Sequence, residues 1–324
     1  MMKWQESVLF IRHRSKTTKT EDCIWQKKII HLDLDNTLLN SDKIITPRTY
    51  EALEHWASRG NLIAINSGRP MTSVEDTIRE LSLDRFETYA VAFNGAWIRD
   101  TSGREILKKA ISLDDVQTIA SIAKEMGIHA QTYDLTHILT SALDDELCRY
   151  THTVHLPFRV LENFPEGITD APCKVLCIKV FDEYAVQAHE RRLELFPETI
   201  DKEKEFVPPS GEKVLAELAE LGKRIEKACE GRVSCLKSTP CYLESFPSDA
   251  GKGLAITELS ELLNIPIENT FAAGDAQNDI SMLEAAGTGI AMLNAEPEVK
   301  EAADVITATD NDHDGLAELL YKYA

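Results

Sequence analysis

The chain has 324 residues, 43% of them hydrophobic and 27% charged, with a formal net charge of -19 at pH 7. That length suits two domains, and the composition is that of a globular chain with enough apolar mass for a sizeable core. An acidic surface repels nucleic acid and anionic membrane, so neither is expected as a partner, and a phosphate site in such a chain would need local cations or a metal.

Seven cysteines are scattered along the chain without a CxxC pair, the pattern of reduced, buried thiols in a cytoplasmic protein. No run of 18 or more apolar residues occurs, so no membrane-spanning helix is expected. Residues 7–11 are too short for the apolar core of a signal peptide and are followed by His13, Arg14 and Lys16. Residues 1–27 read as a polar N-terminal extension, either disordered or an over-long start. A basic targeting segment is the weaker alternative, because Glu6, Glu21 and Asp22 interrupt it.

In chain order, the first element is the apolar run 28–35, which suits a buried parallel strand. Thr46-Pro47 reads as a helix start, and Gly60 as its stop. A strand at 62–66, a helix at about 71–81 and a strand at 89–93 follow, the alternation of βαβ units. The rhythm changes after Asn94-Gly95. Strands are expected at 129–133, 137–141, 174–181, 233–238 and 242–246, with Thr239-Pro240 as a hairpin turn, and helices at 112–126, 182–195 and 212–229. Strands and helices set apart in this way suggest an α+β layer. From about Gly251 the βαβ rhythm returns: a helix at 252–263, strands at 270–273 and 289–293, and helices at 279–286, from Pro297, and at 315–321. The expected organisation is a doubly wound, Rossmann-like α/β core of residues 28–96 plus 247–324, with an α+β domain inserted at 97–246.

The chemistry-bearing residues fall at the ends of the core strands, where open α/β sheets place their ligands. Asp33 and Asp35 are two residues apart at the end of the first strand and can converge on one site. Two neighbouring carboxylates repel, so they need a cation or a shared proton. Ser67-Gly68-Arg69 ends the second strand, where a hydroxyl and helix N-terminal amides make an anion site. Lys252 opens a helix and could lower the pKa of a nearby carboxylate and hold a phosphate oxygen. Asp275 and Asp279 are i and i+4 after the strand at 270–273, and hard carboxylate oxygens there suit magnesium. Each motif alone has an ordinary explanation as a turn, a cap or a surface lysine. Their combination at one end of one sheet is far more specific.

With Asp33-x-Asp35, Ser67, Lys252 and Asp275-x-x-x-Asp279 in this order, the chain resembles the haloacid dehalogenase superfamily of phosphohydrolases over about residues 28–324. The branch it is most similar to is the Cof type, whose cap is inserted after the third core strand. The resemblance implies Asp33 as a nucleophile forming an aspartyl-phosphate, and Asp35 as an acid and then a base. It implies that Ser67 and Lys252 hold the phosphoryl group. Asp33, the Asp35 carbonyl and Asp275 would bind Mg2+, with Asn278 and Asp279 ordering the metal site. Gly68, Arg69, Asn94, Gly95 and Asn278 would line the substrate, and residues 312–316 would be structural.

Asn36 stands where the family usually has glycine, and Ser67 where threonine is commoner; asparagine tolerates a left-handed backbone. Residues 183–232 are longer than expected for this cap and suggest an added surface excursion around the charged run 201–205. His31, His129, His137 and His155 show no metal spacing and take no role. The implied enzyme is a Mg2+-dependent phosphatase of a sugar phosphate or similar small phosphorylated metabolite, with no obligate protein partner. A phosphosugar mutase with the same chemistry, or a non-catalytic phosphometabolite-binding protein, are the alternatives.

Overall fold

The computed structural model describes residues 26–154, 156–201 and 203–324. The expected extension at 1–27 therefore lies outside it except for Gln26, which accepts a hydrogen bond from Asn269, and Lys27, which pairs with Glu87. His155 and Lys202 also lie outside the described residues.

The chain divides into two compact units. The first comprises residues 26–69, 74–106 and 251–324 of the described chain. It begins with β1 (Ile29–Leu32), α1 (Pro47–Ser58), β2 (Leu62–Asn66), α2 (Met71–Glu80), β3 (Thr88–Ala92), β4 (Trp97–Asp100) and β5 (Glu105–Lys108). The second unit carries α3 (Leu113–Glu125), β6 (His129–Tyr133), β7 (Ile138–Thr140), α4 (Asp145–Thr153), β8 (Phe158–Val160), β9 (Val175–Ile178), α5 (Asp182–Leu195), α6 (Gly211–Ala228), β10 (Val233–Thr239) and β11 (Tyr242–Pro247). The chain then returns to the first unit with α7 (Lys252–Leu263), β12 (Thr270–Gly274), α8 (Ile280–Ala285), β13 (Thr288–Ala291), α9 (Pro297–Ala302), β14 (Val305–Ile306) and α10 (Ala317–Tyr323).

In the first unit eight strands run in the order β14-β13-β12-β1-β2-β3-β4-β5. All pairings from β14 to β3 are parallel, and β4 turns back antiparallel on β3. Strands β1, β2, β3 and β12 are buried along their whole length, which explains their near-continuous apolar sequences. Strand order reverses at β1, whose neighbours are β2 on one side and β12 on the other. The register sets Leu32 level with Ile65 and with Ala273, so these three strands end side by side. That alignment makes a ligand crevice at the switch point. The sheet is backed by α1, whose Trp56 is fully buried, stacks edge-on against Phe271 and donates its indole N–H to the Leu62 carbonyl at 2.9 Å.

The second unit is an α+β layer. Its sheet runs β10-β11-β9-β6-β7-β8, antiparallel except where β7 meets β8. Helices α3 and α6 bury Val116, Ile119, Leu218, Leu221 and Ile225 against Ala130, Val175, Cys177 and Leu243 of the strands. Most of the described cysteines are buried and all are free, as expected for packed thiols.

Two sequence expectations differ from these units. The inserted unit spans 107–250, together with residues 70–73, in place of 97–246. Residues 97–106 extend the first unit's sheet as β4 and β5, because Val91 and Ile98 pair across an antiparallel ladder. Helix α4 was missed, since its sequence is mostly polar; its start is marked by Asp144, whose carboxylate accepts from the Leu147 amide at 3.0 Å. The helices expected at 182–195 and 212–229 are α5 and α6, and α6 contributes the apolar wall just described. Of the charged run 201–205, expected as a surface excursion, residues 201 and 203–205 are exposed.

Truncation of that wall should be costly. Leu218→Ala is expected to lower stability by about 2–5 kcal/mol, the range for a large-to-small change in a packed core. Chemical denaturation would show it, and a loss below about 0.5 kcal/mol would mean that α6 is peripheral.

Candidate active site

The site grows from the aligned ends of β1, β2 and β12. The Asp33 amide donates to the Ala273 carbonyl at 3.1 Å, so the strand pairing continues one residue past β1 and fixes Asp33 at the crevice. Asn36 then adopts a left-handed backbone, φ 59°, the conformation that asparagine tolerates. The turn is closed by Leu38 N–H to the Asp33 carbonyl and Leu39 N–H to that of Leu34.

Lys252, at the first residue of α7, is 2% exposed. Its ammonium lies 2.6 Å from Asp33 Oδ1 and 2.6 Å from Asp279 Oδ1. The other oxygen of Asp279 accepts from the amides of Asp275 and Ala276, at 3.1 and 3.2 Å. Asp279 is fully buried and both its oxygens are committed. It is a clamp that holds Lys252 against the strand end. It does not sit on the first turn of a helix with Asp275, as the spacing suggested; residues 277–279 form a short 3-10 turn and α8 starts at Ile280. Asn278 is half-buried on that turn.

A glycine-dependent contact also seats the lysine. Asn94 and Gly95 both have positive φ, 56° and 93°. A Cβ on Gly95 would stand 2.4 Å from the Gly251 carbonyl oxygen, so the Asn94-Gly95 turn packs directly on the start of α7. Asn66 adds a hydrogen bond from its side-chain amide to the Lys252 carbonyl at 3.2 Å.

Ser67 is buried, and its hydroxyl accepts from the Arg69 amide at 3.2 Å. Its own amide donates to the Val91 carbonyl. That N–H belongs to the sheet, and α2 begins only at Met71, so the expected helix-end amide site at Ser67 is replaced by a loop bearing Ser67, Gly68 and Arg69. Gly68 packs where a Cβ would lie 2.9 Å from the side-chain oxygen of buried Asn94.

Asp35 is held apart from Asp33's lysine by its own cations. Arg69 Nη2 donates to Oδ2 at 2.6 Å and Lys43 Nζ to Oδ1 at 2.8 Å. Burial alone would raise its pKa, but the Arg69 charge and the hydrogen bonds from Lys43 and Arg69 prevail and hold it below the usual carboxylate range. Asp33 goes the other way. Burial, with the charges of Asp279 and Asp275, pushes it up to about 7 against the pull of Lys252. Burial and the Asp279 charge raise Asp275 to about 6, opposed by the hydrogen bond from the Thr37 hydroxyl at 2.8 Å and by Lys252.

Asp33, Asp275 and Asp279 bring carboxylate oxygens within 4.8 Å of one another. An all-oxygen donor set with two carboxylates lifted out of their ordinary range fits a hard divalent cation, which would relieve that repulsion.

Sequence reasoning missed Thr37 and Lys43. Thr37 lies two residues beyond Asp35, and its hydroxyl donates to Asp275. Lys43 reaches Asp35 from a separate turn at Asn40–Ile44, where Asn40 Oδ1 caps two amides, and no spacing rule announces it. Asp312, expected to be structural, accepts from the Ser41 amide and hydroxyl at 2.7 and 2.8 Å and so pins that turn.

A doubly wound sheet with a buried lysine and a carboxylate cluster at its switch point is the architecture of a phosphoryl-transfer hydrolase of the capped α/β class. The chain belongs to the haloacid dehalogenase-like hydrolases, whose family model matches residues 30–320. It is 30% identical over 296 residues to the phosphatase YwpJ of Bacillus subtilis, covering 90% of this chain and 98% of that protein. It is 29% identical to the 5-amino-6-(5-phospho-D-ribitylamino)uracil phosphatase YwtE of the same organism, covering 90% and 96%. Its fold is similar to the crystal structure of a haloacid dehalogenase-like hydrolase from Bacteroides thetaiotaomicron, with a TM-score of 0.75, 27% identity, and 92% and 100% of the two chains covered. The protein is an enzyme of the phosphatase class.

The raised carboxylates make a pH-dependent prediction. A group with a folded pKa above its unfolded value stabilises the fold at low pH, and that contribution is lost as pH rises through the folded pKa. For metal-free protein, Asp275 and Asp33 lose theirs as pH climbs from near 4 through about 6 and about 7. A bound divalent cation reverses that loss, so the gain in Tm with magnesium over EDTA should increase between about pH 5 and about pH 8. A gain independent of pH would contradict the metal assignment.

Proposed function

We propose that this protein is a Mg2+-dependent phosphomonoesterase that cleaves a small phosphorylated metabolite through an aspartyl-phosphate on Asp33. The observation that carries the reading is the buried Lys252 ammonium shared by Asp33 and Asp279, beside a second carboxylate, Asp35, held by separate cations. Two carboxylates in contrasting environments are the arrangement for a nucleophile and an acid-base pair. The name of the relative YwtE, a phosphatase of a phosphorylated ribitylamino compound, supports a small-metabolite substrate.

Asp33, Asp275 and the backbone carbonyl of Asp35 would hold the cation, with Asn278 and Asp279 ordering the loop around it. When bound, it supplies charge neutralisation that lets a carboxylate and a phosphate dianion approach. Lys252 fixes the Asp33 carboxylate and faces the phosphoryl oxygens together with the Ser67 hydroxyl. Asp33 attacks phosphorus, the ester P–O bond breaks, and the leaving oxygen takes a proton from Asp35. Water then attacks the aspartyl-phosphate; Asp35 accepts its proton, the acyl P–O bond breaks, and Asp33 is regenerated with release of inorganic phosphate. Arg69 and Lys43 favour ionised Asp35, so the acid step requires that a bound anion draw them off that carboxylate.

The test is phosphate release from a panel of phosphorylated metabolites with Mg2+ and with EDTA. Asp33→Asn should abolish release, and Asp35→Asn should lower kcat by about 100- to 10,000-fold, the usual contribution of general acid-base catalysis. Full activity in Asp33→Asn would sink the mechanism, and rearranged sugar phosphate in place of inorganic phosphate would make the enzyme a mutase.

A further inference from the structure

The geometry points to Lys43 as a substrate-selecting residue that binds an anionic group on the leaving alcohol, favouring phosphomonoesters that carry a carboxylate or second phosphate near the scissile ester. The inference rests on the phosphatase reading and extends it to the substrate class.

The position follows from the division of cations. Lys252 serves Asp33, the side of the site that receives the phosphoryl group. Lys43 and Arg69 serve Asp35, the side that faces the leaving oxygen. Any group in contact with the Asp35 carboxylate therefore stands beside the leaving alcohol and away from the transferred phosphoryl. Two cations thus stand on one carboxylate there. In a chain of net charge -19 paired cations are a selective feature, because the surrounding surface repels anions.

The cluster is open to a ligand. The side chains of Lys43, Asp35 and Arg69 are 60%, 41% and 31% exposed, in contrast with 2% for Lys252. An ammonium has three donors, and Lys43 gives one to Asp35 Oδ1. Its presentation is fixed rather than incidental. Lys43 has a left-handed backbone, φ 61°, in a turn where Asn40 Oδ1 accepts from the amides of Asp42 and Ile44. The Lys43 amide donates to the Asn40 carbonyl, and Asp312 grips Ser41 through amide and hydroxyl.

The experiment compares 3-phosphoglycerate with glycerol 3-phosphate, a pair that differs by a carboxylate on the leaving alcohol. Wild type should show the higher kcat/KM with 3-phosphoglycerate. Lys43→Gln should reduce that preference by about tenfold or more, mainly through KM, the loss of one charge-assisted hydrogen bond. Lys43→Arg should retain most of it. Activity of Lys43→Gln on glycerol 3-phosphate reports whether the variant is folded and Asp35 still works. A preference unchanged in Lys43→Gln, or an equal fall with both substrates, overturns the inference while leaving the phosphatase reading in place. A wild type that prefers glycerol 3-phosphate also overturns it. Failure of the phosphatase reading itself would show separately, as metal- and Asp33-independent turnover.

Discussion

A single ammonium organises this site. Lys252 is removed from water almost completely, which is costly for a charge unless it is fully paired. Asp33 and Asp279 pair it at equal distances, and two amides hold Asp279 in turn. Breaking such a triad leaves an uncompensated buried charge, a loss of about 3–5 kcal/mol. The surrounding backbone is arranged to deliver this one contact. The Gly95 turn seats Gly251, Asn66 holds the Lys252 carbonyl, and the β1–β12 register brings Asp33 to the level of the Asp275 loop.

From that contact the two carboxylates near the start of the chain acquire different characters. Asp33 shares a crowded, buried space with Asp275 and Asp279, and is pushed toward the neutral form until a cation is present. Asp35, two residues on, leaves the strand, enters a partly solvated space and meets two cations of its own. Asp33 thus stays on the strand pairing while Asp35 lies beyond it, and Asn36, with a left-handed backbone, φ 59°, turns the chain onward.

Much of this was legible in the sequence. The doubly wound core follows from apolar runs alternating with helical segments, and α5 and α7 begin and end where the pattern put them. Asp33, Ser67 and Asp275 were visible as polar residues at the ends of apolar runs, Lys252 as the opening of a helix, and Asp279 by its spacing from Asp275. What escaped notice depended on contacts across long sequence distances. Lys43 meets Asp35 from a turn that Asn40 closes and that Asp312, far along the chain, also pins. The roles of Asp279 as a clamp and of Gly95 as a packing surface emerge from approach distances that composition and periodicity do not encode. The helix expected at 212–229 is α6, legible because Val214, Leu218, Leu221 and Ile225 recur at helical spacing.

The claim on which the account stands is that Asp33 forms a covalent bond to phosphorus. The direct measurement is acid quenching of the enzyme during turnover of a good substrate, followed by peptide mass spectrometry. The account predicts one added phosphoryl group on the peptide bearing Asp33, absent when metal is chelated. Steady phosphate release with that peptide unmodified, and the phosphoryl group on another residue, would contradict it.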